Sequence, residues 1–330
     1  MSTAITAPTI QPDTILHELS DLWVSLAKQP AEGEAAGVLR ACAMTLITVV
    51  DETEDPAAVS ETLAELMHEH PSRAIVIRLR DTSEPVLSAR VLAQCWMPFG
   101  TGRQICCEQI EITASDASLP DLAAVVLPLT VPDLPVMLWC RSARLFRLPG
   151  FFGIAEIAQK VIVDSADFPD SVPAMRDIAE FLKGGRLIAD LAWTRLTRWR
   201  ELVAQIFENR SYLAGLARVR RLRVARERSR GAYYLTAWLL DGLEKAGCSP
   251  TLAWDRTGST TISFESDDSG GCNVALQTEE GSNVEVRVNG LVTHAVFAPP
   301  SDYTLLREEL SIPGRDVVFE AALERALRLL

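Results

Sequence analysis

Four short runs in the first half of the chain set the strongest limit on its fold: 43–50 (AMTLITVV), 73–79 (RAIVIRL), 134–139 (LPVMLW) and 160–163 (KVIV). Each is apolar nearly throughout, where a half-exposed strand would alternate with polar residues. Strands of that kind need cover on both faces. Between them lie stretches with helical spacing: 56–70, with Val59, Leu63 and Leu66 on one side, then 119–129 and 152–159. Strands and helices alternating in this way predict a largely parallel sheet with helices on its faces. One pair of segments departs from the pattern. Residues 86–96 and 104–113 flank PFGTGR, and Leu87, Ala89, Val91, Ala93 and Cys95 alternate with polar residues. That predicts an antiparallel hairpin with one wet face.

The pattern changes in the second half. Residues 216–224 (LARVRRLRV) read as a strand despite their arginines, and 232–246 as an amphipathic helix carrying Tyr234, Leu235, Trp238, Leu239 and Leu243. Four short β segments follow at 260–265, 273–277, 283–288 and 291–297. Asn289-Gly290 between the last two is a tight-hairpin signal. Helices near 303–310 and 316–329 end the chain. The expected fold class is therefore α/β: an N-terminal, mostly parallel sheet flanked by helices, with a C-terminal α+β domain containing an antiparallel sheet. A length of 330 residues suits two domains. The expected division is a flexible tail at 1–12, an α/β domain at 13–170, bridging helices at 171–210 and an α+β domain at 211–330. Within it, a first helix over 14–28 is followed by a flexible joint, EGEAAG, at 32–37.

The bridging segment holds the densest pattern in the chain, DLAWTRLTRWRELVAQIFE at 190–208. Leu191, Ala192, Leu196, Trp199, Leu202, Val203, Ile206 and Phe207 recur at threes and fours and fall on one side of a single helix. Asp190 is the expected N-cap and Asn209 the expected stop. On that wheel Arg195 points into the apolar arc. It needs a buried acid, for which Asp164 is the best candidate, or it extends its guanidinium past its neighbours into water. Trp193 and Arg200 sit on the flank of the arc. They read either as interface residues or as a tryptophan and its neighbour at a domain seam.

Composition removes several classes of function. A net charge of −12 argues against a general nucleic-acid binder. The N-terminal MSTAITAPTIQPD has neither the basic region nor the apolar core of a signal peptide, and no run of eighteen apolar residues occurs. A cytoplasmic protein that contacts no membrane is expected. The seven cysteines contain no CxxC pair, and Cys106 and Cys107 would face opposite ways on a strand, so free thiols and no metal are expected. His68 and His70 face apart on a helix and cannot share a metal. There is no GxGxxG, no GxxxxGK[ST] and no GxSxG; Gly100-Thr101-Gly102 belongs to a hairpin turn.

One constellation has the makings of a ligand site. Open parallel sheets bind ligands beyond the C-terminal ends of their strands. Those ends carry Asp51 and Glu52, then Trp139, Cys140 and Arg141, then Asp164 and Ser165. An acid, an arginine and an aromatic there can converge on a small ligand such as a sugar phosphate or nucleotide, or they are ordinary loop residues. The arginines at 218, 220, 221, 223, 226, 228 and 230 form a basic run. It reads as phosphate- or acid-binding, or as a solvated, salt-bridged edge strand.

Several of these stretches together resemble the glucose-6-phosphate dehydrogenase assembly proteins known as OpcA: EHPSRAIVI (69–77), LPLTVPDLPVMLW (127–139), VIVDSA (161–166), AWLLDGL (237–243) and above all DLAWTRLTRWRELVA (190–204). The resemblance runs from about residue 38 to the end of the sequence. It implies a non-catalytic subunit without cofactor, which binds glucose-6-phosphate dehydrogenase and promotes its active oligomer in the oxidative pentose phosphate pathway. It supplies no catalytic residues. Trp193, Arg195, Trp199 and Arg200 are its interface or structural candidates; Asp51, Trp139, Arg141 and Asp164 remain candidates for a ligand or for salt bridges.

Overall fold

The computed structural model describes residues 11–28, 38–97, 104–148, 150–225, 230–255, 260–266, 271–279 and 282–330. Residues 1–10 of the expected tail at 1–12, the joint at 32–37, the turn at 98–103 and the arginines at 226 and 228 lie outside them, while Pro12 already belongs to the first helix. The chain forms two compact units. The first comprises Met1–Asp167, Arg186–Ile188 and Leu306–Pro313; the second comprises Phe168–Gly185, Ala189–Leu305 and Gly314–Leu330.

In chain order the first stretch contains α1 (Pro12–Ala27), β1 (Val38–Arg40), β2 (Met44–Asp51), α2 (Pro56–Leu66), β3 (Ser72–Arg80), β4 (Leu87–Trp96), β5 (Gln104–Ser115), α3 (Leu119–Val126), β6 (Val136–Cys140), α4 (Phe151–Ala155) and β7 (Lys160–Val163). It continues through α5 (Ser171–Lys183) to β8 (Leu187–Asp190). The strands lie in the order β1-β5-β3-β2-β6-β7-β8, with β4 antiparallel to β5 as the expected hairpin. The pairs β2–β3, β2–β6, β3–β5, β6–β7 and β1–β5 are all parallel. The apolar runs explain the arrangement: every residue of β2 except Asp51, and every residue of β6 and β7, is buried. β8 was not expected. Four residues, LIAD, are too short to show a period of their own beside the helical pattern that follows.

From β8 the chain continues into the second unit with α6 (Leu191–Thr194), α7 (Thr197–Glu208), α8 (Arg210–Gly215), β9 (Val219–Ala225), α9 (Arg230–Lys245), β10 (Thr251–Asp255), β11 (Thr261–Ser266), β12 (Val274–Thr278), β13 (Asn283–Val288), β14 (Leu291–Val296), α10 (Asp302–Leu310), of which 306–310 belong to the first unit, and α11 (Val317–Leu329). The second unit's sheet runs β10-β9-β11-β12-β13-β14. All pairs are antiparallel except β9–β10. The sheet is therefore mixed, where the sequence suggested only antiparallel pairing. Asn289 and Gly290 both take positive φ, 47° and 89°, as a two-residue hairpin turn requires.

Three expectations are corrected. The single helix over 190–208 is interrupted: α6 ends at Thr194, Arg195 and Leu196 form a turn, and α7 begins at Thr197. The wheel that put Arg195 inside the apolar arc assumed a continuous helix, and Arg195 is only partly buried. Strand β9 is not an edge strand, because β10 covers its outer side. Arg221 and Arg223 reach across to Glu265 on the other neighbour, β11, at 3.3 and 3.2 Å. Finally, the cysteines are not all free. Cys95 and Cys106 stand directly opposite one another in β4 and β5, with Cα atoms 4.0 Å apart, and are disulfide-bonded. The other five are free thiols.

Candidate functional site

The strand order reverses direction at β2. The chain builds β3 on one side of it and β6 on the other, so the ends of β2 and β6 border the crevice where such sheets bind ligands. Of the sequence-expected residues, Asp51, Trp139 and Arg141 lie at these two ends. Asp51 ends β2, and the backbone N–H of Arg141, just past β6, donates to the Val49 carbonyl at 2.9 Å. Trp139 is buried at 1 % exposure, and the Arg141 guanidinium lies 4.8 Å above its ring centre.

Each charge at this edge is already answered by a neighbour. Arg141 donates to Glu54. Arg144 donates to Asp116 and, at 3.1 Å, to Asp51, with Asp81 at 3.6 Å. Arg80 pairs with Glu52 at 2.9 Å. Burial alone would lower the pKa of Arg144, but the bonds and charges of Asp116 and Asp51 raise it, so the group stays a cation. Asp164 is buried at the end of β7, and its carboxylate accepts the Ala166 N–H at 3.0 Å. Asp164 lies in the first unit, whereas Arg195, its expected partner, lies in the second.

A sheet with this strand order is the usual frame for a dinucleotide, whose pyrophosphate sits on a glycine-rich turn at the N-terminus of the helix after the first central strand. The residues here do not fit that group. The turn between β2 and α2 is Asp51-Glu52-Thr53-Glu54-Asp55-Pro56, with no glycine. The Asp55 side chain takes the Ala57 N–H at 2.9 Å, and Pro56 has no N–H to give. Phosphate oxygens would meet carboxylates in place of free amides.

A separate cavity of about 300 Å³ is lined by Ala64, Met67, His68, Gln94, Cys95 and Trp96, with the His68 and Trp96 rings 5.0 Å apart. Its lining holds no carboxylate. Among the described residues, no group of three His, Cys, Asp or Glu side chains could hold a metal ion, and no helix is long and apolar enough to cross a membrane.

The motif residues of 190–200 form a packing centre inside the second unit. Asp190 is fully buried; one carboxylate oxygen caps α6 through the Ala192 N–H at 2.9 Å, and the other accepts the Tyr234 hydroxyl at 2.8 Å. Trp193 is 1 % exposed. Its indole N–H donates to Asp316 at 3.0 Å, and the other oxygen of Asp316 caps α11 through the N–H groups of Val318 and Phe319. The rings of Tyr234 and Phe319 lie 6.2 and 6.1 Å from Trp193, and the Arg200 guanidinium stacks 3.7 Å from its centre. Trp199 packs edge-on against Phe297 at 5.2 Å. Of the four candidates, Trp193 and Trp199 are buried and Arg195 and Arg200 partly so, while Arg198 and Glu201 point to water.

Sequence reasoning missed two buried ionic centres in the first unit. Glu108, in the middle of β5, accepts from the Trp23 indole at 2.9 Å, Arg40 at 2.6 Å and Arg73 at 2.8 Å. Lys160 donates to the Glu309 carboxylate at 2.8 Å and to the Ile312 carbonyl at 2.8 Å. The signal in both cases was a single charge within or beside an apolar strand.

Residues 63–180 match the family model of the glucose-6-phosphate dehydrogenase subunit N-terminal domain, and residues 186–323 that of its C-terminal domain. This chain belongs to the OpcA glucose-6-phosphate dehydrogenase assembly family. Among its relatives, the OxPP cycle protein OpcA of Nostoc punctiforme is 28% identical over 183 residues, 54% of this chain and 39% of that protein. The OpcA protein of Synechocystis is 27% identical over 155 residues, 46% of this chain and 32% of its own length. The matched region thus spans well under half of each OpcA relative. Solved structures with a similar course include a 3-ketoreductase from Actinomadura kijaniata, at a TM-score of 0.45 and 9% identity, covering 87% of this chain and 96% of that one.

Proposed function

We propose that this OpcA-family protein is a non-catalytic subunit that binds glucose-6-phosphate dehydrogenase and promotes its active oligomer in the oxidative pentose phosphate pathway. The observation that carries the reading is the pair of family matches, 63–180 and 186–323, both described as dehydrogenase subunit domains. The acidic turn of 51–56 supports it from the chemical side, since a chain with that turn is poorly suited to hold the dinucleotide a dehydrogenase of its own would need. On this reading the protein needs no cofactor and works in the cytoplasm beside the enzyme it assembles. Its net charge of −12 would be set against a less acidic or basic surface on that enzyme.

Tagged protein drawn from native extract should bring the dehydrogenase with it. The competing reading is a small-ligand enzyme or sensor that uses Asp51, Trp139 and Arg141. It requires that glucose 6-phosphate or NADP raise the melting temperature of this protein with no partner present. The proposal expects no such shift, and a saturable one together with an empty pull-down would overturn it.

A further inference from the structure

Strand β14 ends its sheet, and among the described residues no strand pairs with its outer side. Its sequence, LVTHAV, is unusual for an edge. Natural edges carry charges, proline or bulges that discourage another strand from joining. β14 has no charged residue other than a titratable histidine, no proline, and a regular six-residue register with β13. Leu291, Val292 and Val296 are 67, 46 and 64 % exposed.

The turn fixes which backbone groups face outward. A two-residue turn of this kind makes its flanking residues, Val288 and Leu291, a hydrogen-bonded pair. Leu291, Thr293 and Ala295 therefore direct their N–H and C=O groups toward β13. The Phe297 N–H continues the series by donating to the Ser282 carbonyl. Val292, His294 and Val296 direct theirs away from the sheet. Three outward residues at even spacing centre on His294.

We infer that β14 pairs antiparallel with β14 of a second copy of this chain, about a two-fold axis at His294, joining two sheets into one. That register satisfies the outward donors and acceptors of Val292, His294 and Val296 mutually. It sets Val292 against Val296 of the second copy on both sides of the axis, Thr293 against Ala295, and His294 against itself. Apart from the two histidines, which carry like charge only when both are protonated, no charged side chains are opposed. The nearest charged pair on β13, Arg287 with Glu285 at 2.7 Å, is neutral as a unit, and His294 lies 3.7 Å from Glu279. The isologous condition is met, since the two-fold sets apolar Val292 and Val296 together and opposes no fixed charge.

Sedimentation velocity on the full chain over a concentration series tests the pairing. Wild type should pass from monomer to dimer. Val292→Lys with Val296→Lys places lysines opposite lysines and should weaken the dimer about tenfold or more while the melting curve stays cooperative. His294→Cys should give a disulfide-linked dimer on mild oxidation, whereas Val292→Cys, four positions from its own copy, should not. This readout stands even if the lysine variant folds poorly. A monomer at every concentration would overturn the inference. So would a dimer indifferent to the lysines and without the His294→Cys cross-link, which would place the contact on another face. A monomer whose His294→Cys variant cross-links to the dehydrogenase would also overturn it and give the edge to that partner.

Discussion

Glu108 keeps its charge in a place that water does not reach. Burial, the largest influence, pushes its pKa up, but the Trp23 indole and the Arg40 and Arg73 guanidiniums together hold it below the ordinary carboxylate value. A depressed pKa contributes stability that is present above the unfolded value, near 4.3, and lost as pH falls through the folded one. Removing the carboxylate leaves Arg73, 6 % exposed, without its acid. Glu108→Ala should therefore cost about 3–5 kcal/mol in denaturant unfolding. Glu108→Gln should flatten the acid side of the stability–pH curve; the same acid limb in wild type and variant would refute the assignment. Trp193 makes a second residue-scale case. Its place among Tyr234, Phe319, Arg200 and Asp316 predicts that Trp193→Ala costs about 3–5 kcal/mol, while the exposed Arg198→Ala stays within about 0.5 kcal/mol. A Trp193→Ala protein of wild-type stability that no longer bound the dehydrogenase would make Trp193 a contact residue instead. The sequence placed Trp193 beside the apolar arc but could not show the four partners that enclose it, since Tyr234, Asp316 and Phe319 come from distant helices or their caps.

At the scale of elements, the legible parts were those with a repeat long enough to carry a period. The buried runs of β2, β3, β6 and β7, and the Asn289-Gly290 hairpin, could be read directly from residue pattern. Strands β8 and β10 could not: LIAD and TLAWD are too short for alternation to stand out, and β10 is reached only after a sixteen-residue helix. Missing β10 is what made β9 look like an edge. The break at 195–196 was hidden for a different reason, since a turn between two short helices preserves most of the apolar spacing on either side. Register, too, is a pairing property that no single strand displays. Cys95 and Cys106 alternate correctly within their own strands, and only the β4–β5 pairing sets them face to face. Thiol titration of denatured, non-reduced protein should find five reactive groups, rising to seven after reduction, in line with the five free cysteines of the structure and the seven of the sequence. Seven before reduction would remove the disulfide.

On the scale of the whole molecule, the candidate ligand residues were found by position along the chain, and the structure shows what position could not: Asp51 and Arg141 are engaged by Arg144 and Glu54. If this protein binds only the assembled dehydrogenase, mass action makes its effect depend on how far that enzyme is dissociated. The direct measurement is NADP reduction with glucose 6-phosphate, varying the concentrations of both proteins, with this protein alone as control. This protein alone should show no turnover, and its activation of the dehydrogenase should be greatest when that enzyme is dilute and fade as it is concentrated. Activation equal at every enzyme concentration would point to a conformational shift in place of assembly. Turnover by this protein alone, or a cognate dehydrogenase whose activity and oligomer size stay unchanged at every ratio, would contradict it.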